Sequence, residues 1–152
     1  MRLSTKARYA VRAMIDLAVN QSGDDASTRD EIAARQEISP LYLSHILLRL
    51  ARSGLIISAK GPGGGYRLGK GPAEITAGDI VRAVGEPVAL VPCTHRTAAG
   101  CQRADQCAAR ALWLRLAKSM GDTLDGTTLA DLHEDAIRLG DGQPLRSATA
   151  RF

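Results

Sequence analysis

Between Ser4 and Asn20 the apolar residues Ala7, Ala10, Val11, Met14, Leu17 and Ala18 recur at three- and four-residue spacing. That period predicts a helix with one buried face, and it leaves Lys6, Arg8 and Arg12 largely off the stripe. Gln21 to Ala26 is a polar loop containing Gly23. Thr28-Arg29-Asp30-Glu31 has the form of a capping box, so a short helix is expected from there to about Gln36, burying Ile32 and Ala33. Ser39-Pro40 is a second start signal. A serine oxygen can accept the orphan N–H groups of a first turn, and proline suits the first helical position, where no N–H is needed. Leu43, Ile46, Leu47 and Leu50 then make a buried stripe. Leu41, Tyr42, Ser44, His45, Arg49 and Arg52 fall on other faces, and Gly54 stops the helix.

The pattern then changes. Leu55 to Ala59 reads as a strand, Gly61-Pro62-Gly63-Gly64-Gly65 as a turn, and Tyr66-Arg67-Leu68 as the returning strand. Two helices with a very short connection, the second capped and outwardly polar, fit a helix-turn-helix, although a plain helical hairpin in a core has the same pattern. The β-hairpin straight afterwards favours the first reading, because it resembles a wing. Lys60 with the glycines and Pro62 would form a slim basic tip able to enter a minor groove. A phosphate-binding loop is disfavoured: the glycine run lacks the Lys-Ser/Thr ending and no helix follows it directly.

Thr76 and Asp79 form another capping box, opening a short helix with Ile80, Val81 and Val84 inward. From about Asp105 the chain is helical again. Leu112, Trp113, Leu116, Ala117, Met120 and Leu124 make an apolar face that outreaches one small module, so a second copy of the helix is its expected partner. Gly126 ends that helix, Thr128 to Asp131 caps a last one reaching Leu139, and residues 140–152 are expected to be a mobile tail. The fold class is therefore mainly α with a small β-hairpin wing. Residues 1–85 form a winged helix-turn-helix domain, 86–107 a cysteine loop, and 108–139 a dimerisation helix with a short C-terminal helix.

Charge sharpens this division. Residues 1–75 carry 11 Lys+Arg against 7 Asp+Glu, whereas residues 76–152 carry 9 of each, so the net +4 lies in the first half. A basic first module and a neutral second one suit DNA and a protein partner respectively. Aromatic residues make up 3% of the chain, which leaves Leu, Ile, Val and Ala to build the core. No apolar run approaches the ~20 residues that span a bilayer, and the start MRLSTKARYAV lacks an apolar signal core. A cytoplasmic, membrane-free protein is expected. There is no catalytic dyad with motif support, and an enzyme is the least favoured class.

All three cysteines, Cys93, Cys101 and Cys107, lie in VPCTHRTAAGCQRADQCAARALW with Cys-x7-Cys-x5-Cys spacing. In a reducing compartment they point to metal ligands or redox thiols more than to structural disulfides. Arg96, Arg103 and Arg110 lie close enough in sequence to offset thiolate charge.

MRLSTKARYAVRAMIDLA, LIISAKGPGGGYRLGK, the three cysteines, ARALW and TLADL, in that order, resemble the IscR-type regulators of the Rrf-two superfamily of bacterial winged-helix transcription factors. The likeness covers roughly residues 1–139. It implies a homodimer on a palindromic double-stranded DNA operator, mostly as a repressor, with an iron–sulfur cluster tuning the binding in response to cluster supply, iron, nitric oxide or redox state. Ser39, Leu41, Tyr42, Ser44 and His45 match the family's recognition-helix positions, and Lys60, Gly61, Pro62 and Gly63 match its wing. Close relatives carry a polar residue in place of Leu41 and often an acidic or amide pair in place of Ser44-His45, so a different preferred operator is implied. Cys93, Cys101 and Cys107 match the three cysteine ligands.

The family's fourth ligand is missing. Its histidine three residues after the last cysteine is Arg110 here, and its acidic residue on the partner's first helix is Arg8. A guanidinium offers a metal no lone pair. His95, His133, Asp105, a small molecule or an open iron remain as candidates, with His95 nearest to Cys93 in sequence. Both 2Fe–2S and 4Fe–4S clusters remain open. So do two alternatives: cysteines acting as metal-free thiol switches, and a structural zinc on Cys93, His95, Cys101 and Cys107.

Overall fold

The computed structural model describes residues 3–21, 23, 25–61, 64–86, 91 and 104–140. The element order is α1 (Thr5–Asn20), α2 (Arg29–Gln36), α3 (Pro40–Arg52), β1 (Ile56–Ala59), β2 (Gly65–Leu68), α4 (Ala77–Ala83), α5 (Ala108–Gly126) and α6 (Leu129–Leu139). Short 3₁₀ turns at Pro72–Glu74 and Ala104–Gln106 precede α4 and α5. This is the mainly helical class with a two-stranded antiparallel hairpin that the sequence pattern predicts. Of the expected tail, 140–152, Gly140 closes α6 in the left-handed conformation at φ 71°, and residues 141–152 lie outside the described residues.

Helix α1 is the centre. Ala7, Ala10, Ala13, Met14 and Leu17 are buried in it, and α2, α3, α4, α6 and β2 all pack around it. The small alanines let those neighbours approach closely, and Leu43, Ile46, Leu47 and Leu50 of α3 close one side of the core. One apolar stripe therefore organises the whole unit. α6 returns to lie along α1, and its Leu129 sits in the same core as Met14 and Leu47.

The capping boxes form as their spacing predicts. Glu31, Asp79 and Asp131 accept the backbone N–H of Thr28, Thr76 and Thr128, and each threonine hydroxyl accepts the N–H of its acidic partner. The last two boxes stand side by side. Thr76 and Thr128 form an antiparallel bridge, with Ala77 donating to Thr127 at 2.8 Å and Leu129 donating to Ile75 at 2.7 Å. The N-termini of α4 and α6 are thereby laced together. Ser39 occupies the cap position of α3 but makes no capping hydrogen bond. Its side chain is solvent-exposed, and Pro40 already removes one orphan N–H from that turn.

These boxes give the fold a pH dependence. Backbone donation from the capping threonine is the main reason the carboxyls of Glu31, Asp79 and Asp131 are held below their ordinary values. A depressed carboxyl contributes stability above its unfolded-state value and loses it as pH falls through the folded one. Thermal stability is therefore expected to be flat near neutrality and to fall below about pH 4. A Glu31→Gln/Asp79→Asn/Asp131→Asn variant should start lower and fall less steeply; melting curves between neutral and acid pH that decline in parallel would refute the assignment.

Helix α5 differs from the rest. Its 19 residues extend about 28 Å. None is buried, and Leu112, Leu114 and Leu116 are 40–42% exposed. It meets the body at α4, where Arg82 pairs with Asp125 at 2.7 Å. A Cβ on Gly78 would fall 1.9 Å from the Asp125 carboxylate, the end of a half-exposed side chain, so a larger residue there would displace this ion pair.

Candidate nucleic-acid interface and cysteine segment

The α2–α3 turn is tight because the chain reverses in three residues. Glu37 takes the left-handed conformation at φ 52°, unusual for a residue with a side chain. Its N–H and that of Ile38 close back onto Ala34 and Ala33, a Schellman-type stop. Ile38 then plugs the turn into the core. α3 is thereby fixed as the second helix of a helix-turn-helix, with its apolar stripe fully buried.

The opposite face of α3 presents the expected side chains unequally. Ser39, Leu41, Tyr42 and His45 are exposed, and so are Arg49 and Arg52 toward its C-terminal end. Ser44 is half-buried. Its hydroxyl donates to the carbonyl of Pro40 at 2.9 Å and accepts from Arg29 Nη1 at 3.5 Å. Tyr42 is braced from α1: the Tyr9 ring meets it edge-on at 6.0 Å and 80°, and the Arg12 guanidinium lies 5.6 Å from the Tyr9 centroid. Tyr9, Arg12 and Arg29 are thus parts of this surface that helical periodicity does not reveal. Arg29 lies in the α2 capping motif, and its ion pair with Asp30 raises its pKa, keeping the charge in place.

The hairpin is tied to the same surface. β1 and β2 pair from Ile56↔Leu68 to Ala59↔Gly65. Tyr66 exchanges backbone hydrogen bonds with Ser27, at 2.8 and 3.0 Å, so the residue before the α2 cap is bridged to the open edge of β2. This contact accounts for part of the glycine run. A Cβ on Gly65 would fall 2.4 Å from the Ser27 carbonyl oxygen, and one on Gly64 2.6 Å from that of Ala59. These two glycines serve close backbone approach within the fold. Lys60 and Gly61 are exposed at the start of the tip, and Gly61 has φ 98°. Pro62 and Gly63 lie outside the described residues.

Beneath this surface lies a polar network. Asp16 of α1, 0% exposed, accepts from Arg35 Nε and Nη2 and from Gln36 Nε2. Arg35 also donates to Ser27 Oγ at 2.9 Å, and Arg12 donates to the side chain and carbonyl of Gln36. Pairing with Asp16 raises the Arg35 pKa. The network reaches from α1 through α2 to the residue that holds the wing.

Of the cysteine segment, the structure places its two margins. At one, Ser4 donates both its N–H and its hydroxyl to the Glu86 carboxylate while accepting from Ala7 N–H as the α1 cap. At the other, Cys107 is half-buried at the α5 cap position, its carbonyl accepting from Ala111 N–H at 3.3 Å. Cys93, His95, Arg96, Cys101 and Arg103 lie outside the described residues. Among the described residues no three His, Cys, Asp or Glu side chains gather as a metal site. Arg110 follows one turn into α5, half-buried. The chemistry of the donor set fits a soft-metal cluster: a half-buried thiol at the start of a helix with two more thiols nearby in sequence.

Comparison with known proteins agrees with this geometry. The family model for Rrf2, described as an iron-dependent transcriptional regulator, matches residues 3–135. The chain is 39% identical over 145 residues to the HTH-type transcriptional regulator IscR of Cronobacter sakazakii, covering 94% of this chain and 88% of that one. Among solved structures it is similar to CymR, the global cysteine regulator of B. subtilis, with a TM-score of 0.75, 35% identity and coverage of 89% of this chain and 98% of that one. It is also similar to T. potens IscR, with a TM-score of 0.73, 34% identity and coverage of 90% and 88%. Among the described residues no helix is long and apolar enough to cross a membrane.

Proposed function

This chain belongs to the Rrf2 family of transcriptional regulators, and we propose that it acts as a homodimer on palindromic double-stranded DNA, as a repressor whose affinity is set by an iron–sulfur cluster on Cys93, Cys101 and Cys107. The observation that carries the DNA reading is the outward face of α3. Exposed Ser39, Leu41, Tyr42, His45, Arg49 and Arg52 share a helix whose other face is wholly in the core, so the exposed set is held rigidly for a groove. Lys60, Gly61, Pro62 and Gly63 complete the interface as the wing. Lys60 supplies positive charge for the phosphates, and Tyr42 can donate to one.

The uncovered face of α5 supports the dimer. Two copies of this helix packed together would bury the face of Leu112, Trp113, Leu116 and Met120, and would set two recognition helices about one helical turn of DNA apart, ~34 Å. The cluster would be held by the three thiolates and would supply a redox- and iron-sensitive group beside α5. His95 is a candidate fourth ligand. The likeness to IscR regulators, within a family described as iron-dependent, supports this reading. A second reading is supported by the likeness to a cysteine regulator: the same thiols acting as a metal-free switch.

The test is purification without oxygen, with a visible spectrum and iron, sulfide and zinc counts, followed by selection of preferred duplexes from a random pool. About two irons and two sulfides per chain would mean a 2Fe–2S cluster, and about four of each a 4Fe–4S cluster. Operator affinity should fall steeply and log-linearly with salt. Colourless protein whose DNA binding is lost under mild oxidant would move the assignment to thiol switching, and failure to enrich any duplex would overturn the DNA reading.

A further inference from the structure

We propose that Leu41 reads the C5-methyl group of a thymine in each operator half-site, so that part of this protein's sequence choice is made by an apolar contact. The inference rests on the DNA-binding reading above and adds the base feature recognised.

Leu41 is 74% exposed. Single exposed leucines are ordinary on protein surfaces, so exposure alone carries nothing. Position does. Leu41 is the second residue of α3, in the N-terminal turn with which a recognition helix meets base edges. Ser44, His45 and Leu48 follow it at three, four and seven residues, and so lie on the same side of the helix. Two polar neighbours on this surface already have partners. Tyr42 stands against Tyr9 of α1, toward one side. The Ser44 hydroxyl donates to the Pro40 carbonyl and accepts from Arg29. Leu41 is the most exposed of the large apolar side chains on α3, ahead of Leu48 at 48%, so a hydrocarbon stands beside His45 on the outward face.

The surroundings limit what could cover it. Arg29 lies beside Ser44, and Arg49 and Arg52 are exposed farther along the helix. An apolar protein partner would have to desolvate those cations, whereas a polyanion neutralises them. Within the major groove the base edges offer donors, acceptors and one apolar group, the thymine methyl. A leucine on a cationic helix face matches that single feature. It makes no hydrogen bond and gains only when the methyl is present.

The test changes the DNA and leaves the protein intact. The preferred duplex is selected with the full-length dimer, and each thymine is replaced in turn by deoxyuridine, which removes only the methyl. At one thymine per half-site the loss should be roughly fourfold, and roughly fifteenfold when both half-sites are altered, the value of burying one methyl-sized group in each. In Leu41→Ala this difference should vanish at that thymine, while the salt dependence stays as in the parent. Leu41→Met, which keeps an apolar side chain of similar size, should retain most of it. Equal affinity for thymine and uracil duplexes at every position would overturn the proposal, as would a uracil penalty that persists unchanged in Leu41→Ala. Both results leave DNA binding itself intact. Failure of the parent protein to bind any duplex would instead overturn the DNA-binding reading.

Discussion

Replacing Asp16 with alanine is expected to cost the fold about 3–5 kcal/mol, the range seen when one partner of a buried ion pair is removed. The side chain has no exposed surface, and three nitrogens converge on it: Arg35 Nε, Arg35 Nη2 and Gln36 Nε2. Without it the Arg35 charge would lose its buried partner. Because the Arg35 side chain is 23% exposed, some of that charge can turn to water, which places the loss toward the lower end of the range. Asp16→Asn keeps the volume and some of the hydrogen bonding, so it should cost less, about 1.5–3 kcal/mol. Urea unfolding reads this directly, as a lower midpoint with an unchanged slope. Adding Arg35→Ala to Asp16→Ala should cost less than the two single losses combined, since both act on one interaction. A loss in Asp16→Ala below about 1 kcal/mol would show that the network is ornamental to stability.

The same substitution should be felt in DNA binding even where the chain remains folded. Arg35 also holds Ser27, whose backbone pairs with Tyr66 of the wing hairpin. Asp16 therefore sets the positions of α2 and the wing relative to α1, although it is itself wholly buried and offers DNA no contact. The expected signature is weaker affinity with an unchanged salt slope, because no phosphate contact is removed.

What could be read from the sequence follows the range of the interactions. The capping boxes at Thr28, Thr76 and Thr128 are three-residue features, and each forms as its spacing predicts. The stripes of α1 and α3 are likewise local, and Leu43, Ile46, Leu47 and Leu50 are buried as expected. The rest depends on residues far apart in the chain. Nothing local pairs Asp16 with Arg35, although a carboxylate between Met14 and Leu17 on a buried helix is a signal that some cation must come to it. Glu37 carries no glycine-like warning of its left-handed conformation. Adjacency groups α6 with α5, whereas packing lays it on α1, because Leu129 fits the α1 core and Thr128 bridges to Thr76. The glycine run reads as a slim tip. Gly64 and Gly65 answer to backbone approach from Ala59 and Ser27, and approach of that kind leaves no trace in sequence. The bracing of Tyr42 by Tyr9 was out of reach for the same reason: the two rings meet between helices.

On the proposed reading, Cys107→Ser is expected to abolish the iron–sulfur chromophore and to shift operator affinity by about 5–150-fold, the span of ordinary couplings between two sites. Serine is the informative replacement. Cys107 occupies the cap position of α5 and makes no side-chain capping bond, while serine is among the preferred residues there. The helix and its contact with α4 should therefore survive or gain slightly, and what is lost is the soft thiolate donor. The margins of the segment explain how such a loss would be felt at the DNA. One margin is Cys107, at the start of the helix expected to form the dimer seam. The other is Glu86, held by Ser4 at the start of α1, the helix on which α2 and α3 are packed. A change between these margins therefore pulls on both elements that fix the spacing and pose of two recognition helices. Iron content, melting temperature and operator affinity, measured on the same preparation of Cys107→Ser, separate the cases. Iron lost with the melting temperature kept and affinity shifted supports the ligand role. Iron retained would exclude Cys107 as a ligand, and iron lost with affinity unchanged would uncouple the segment from DNA binding.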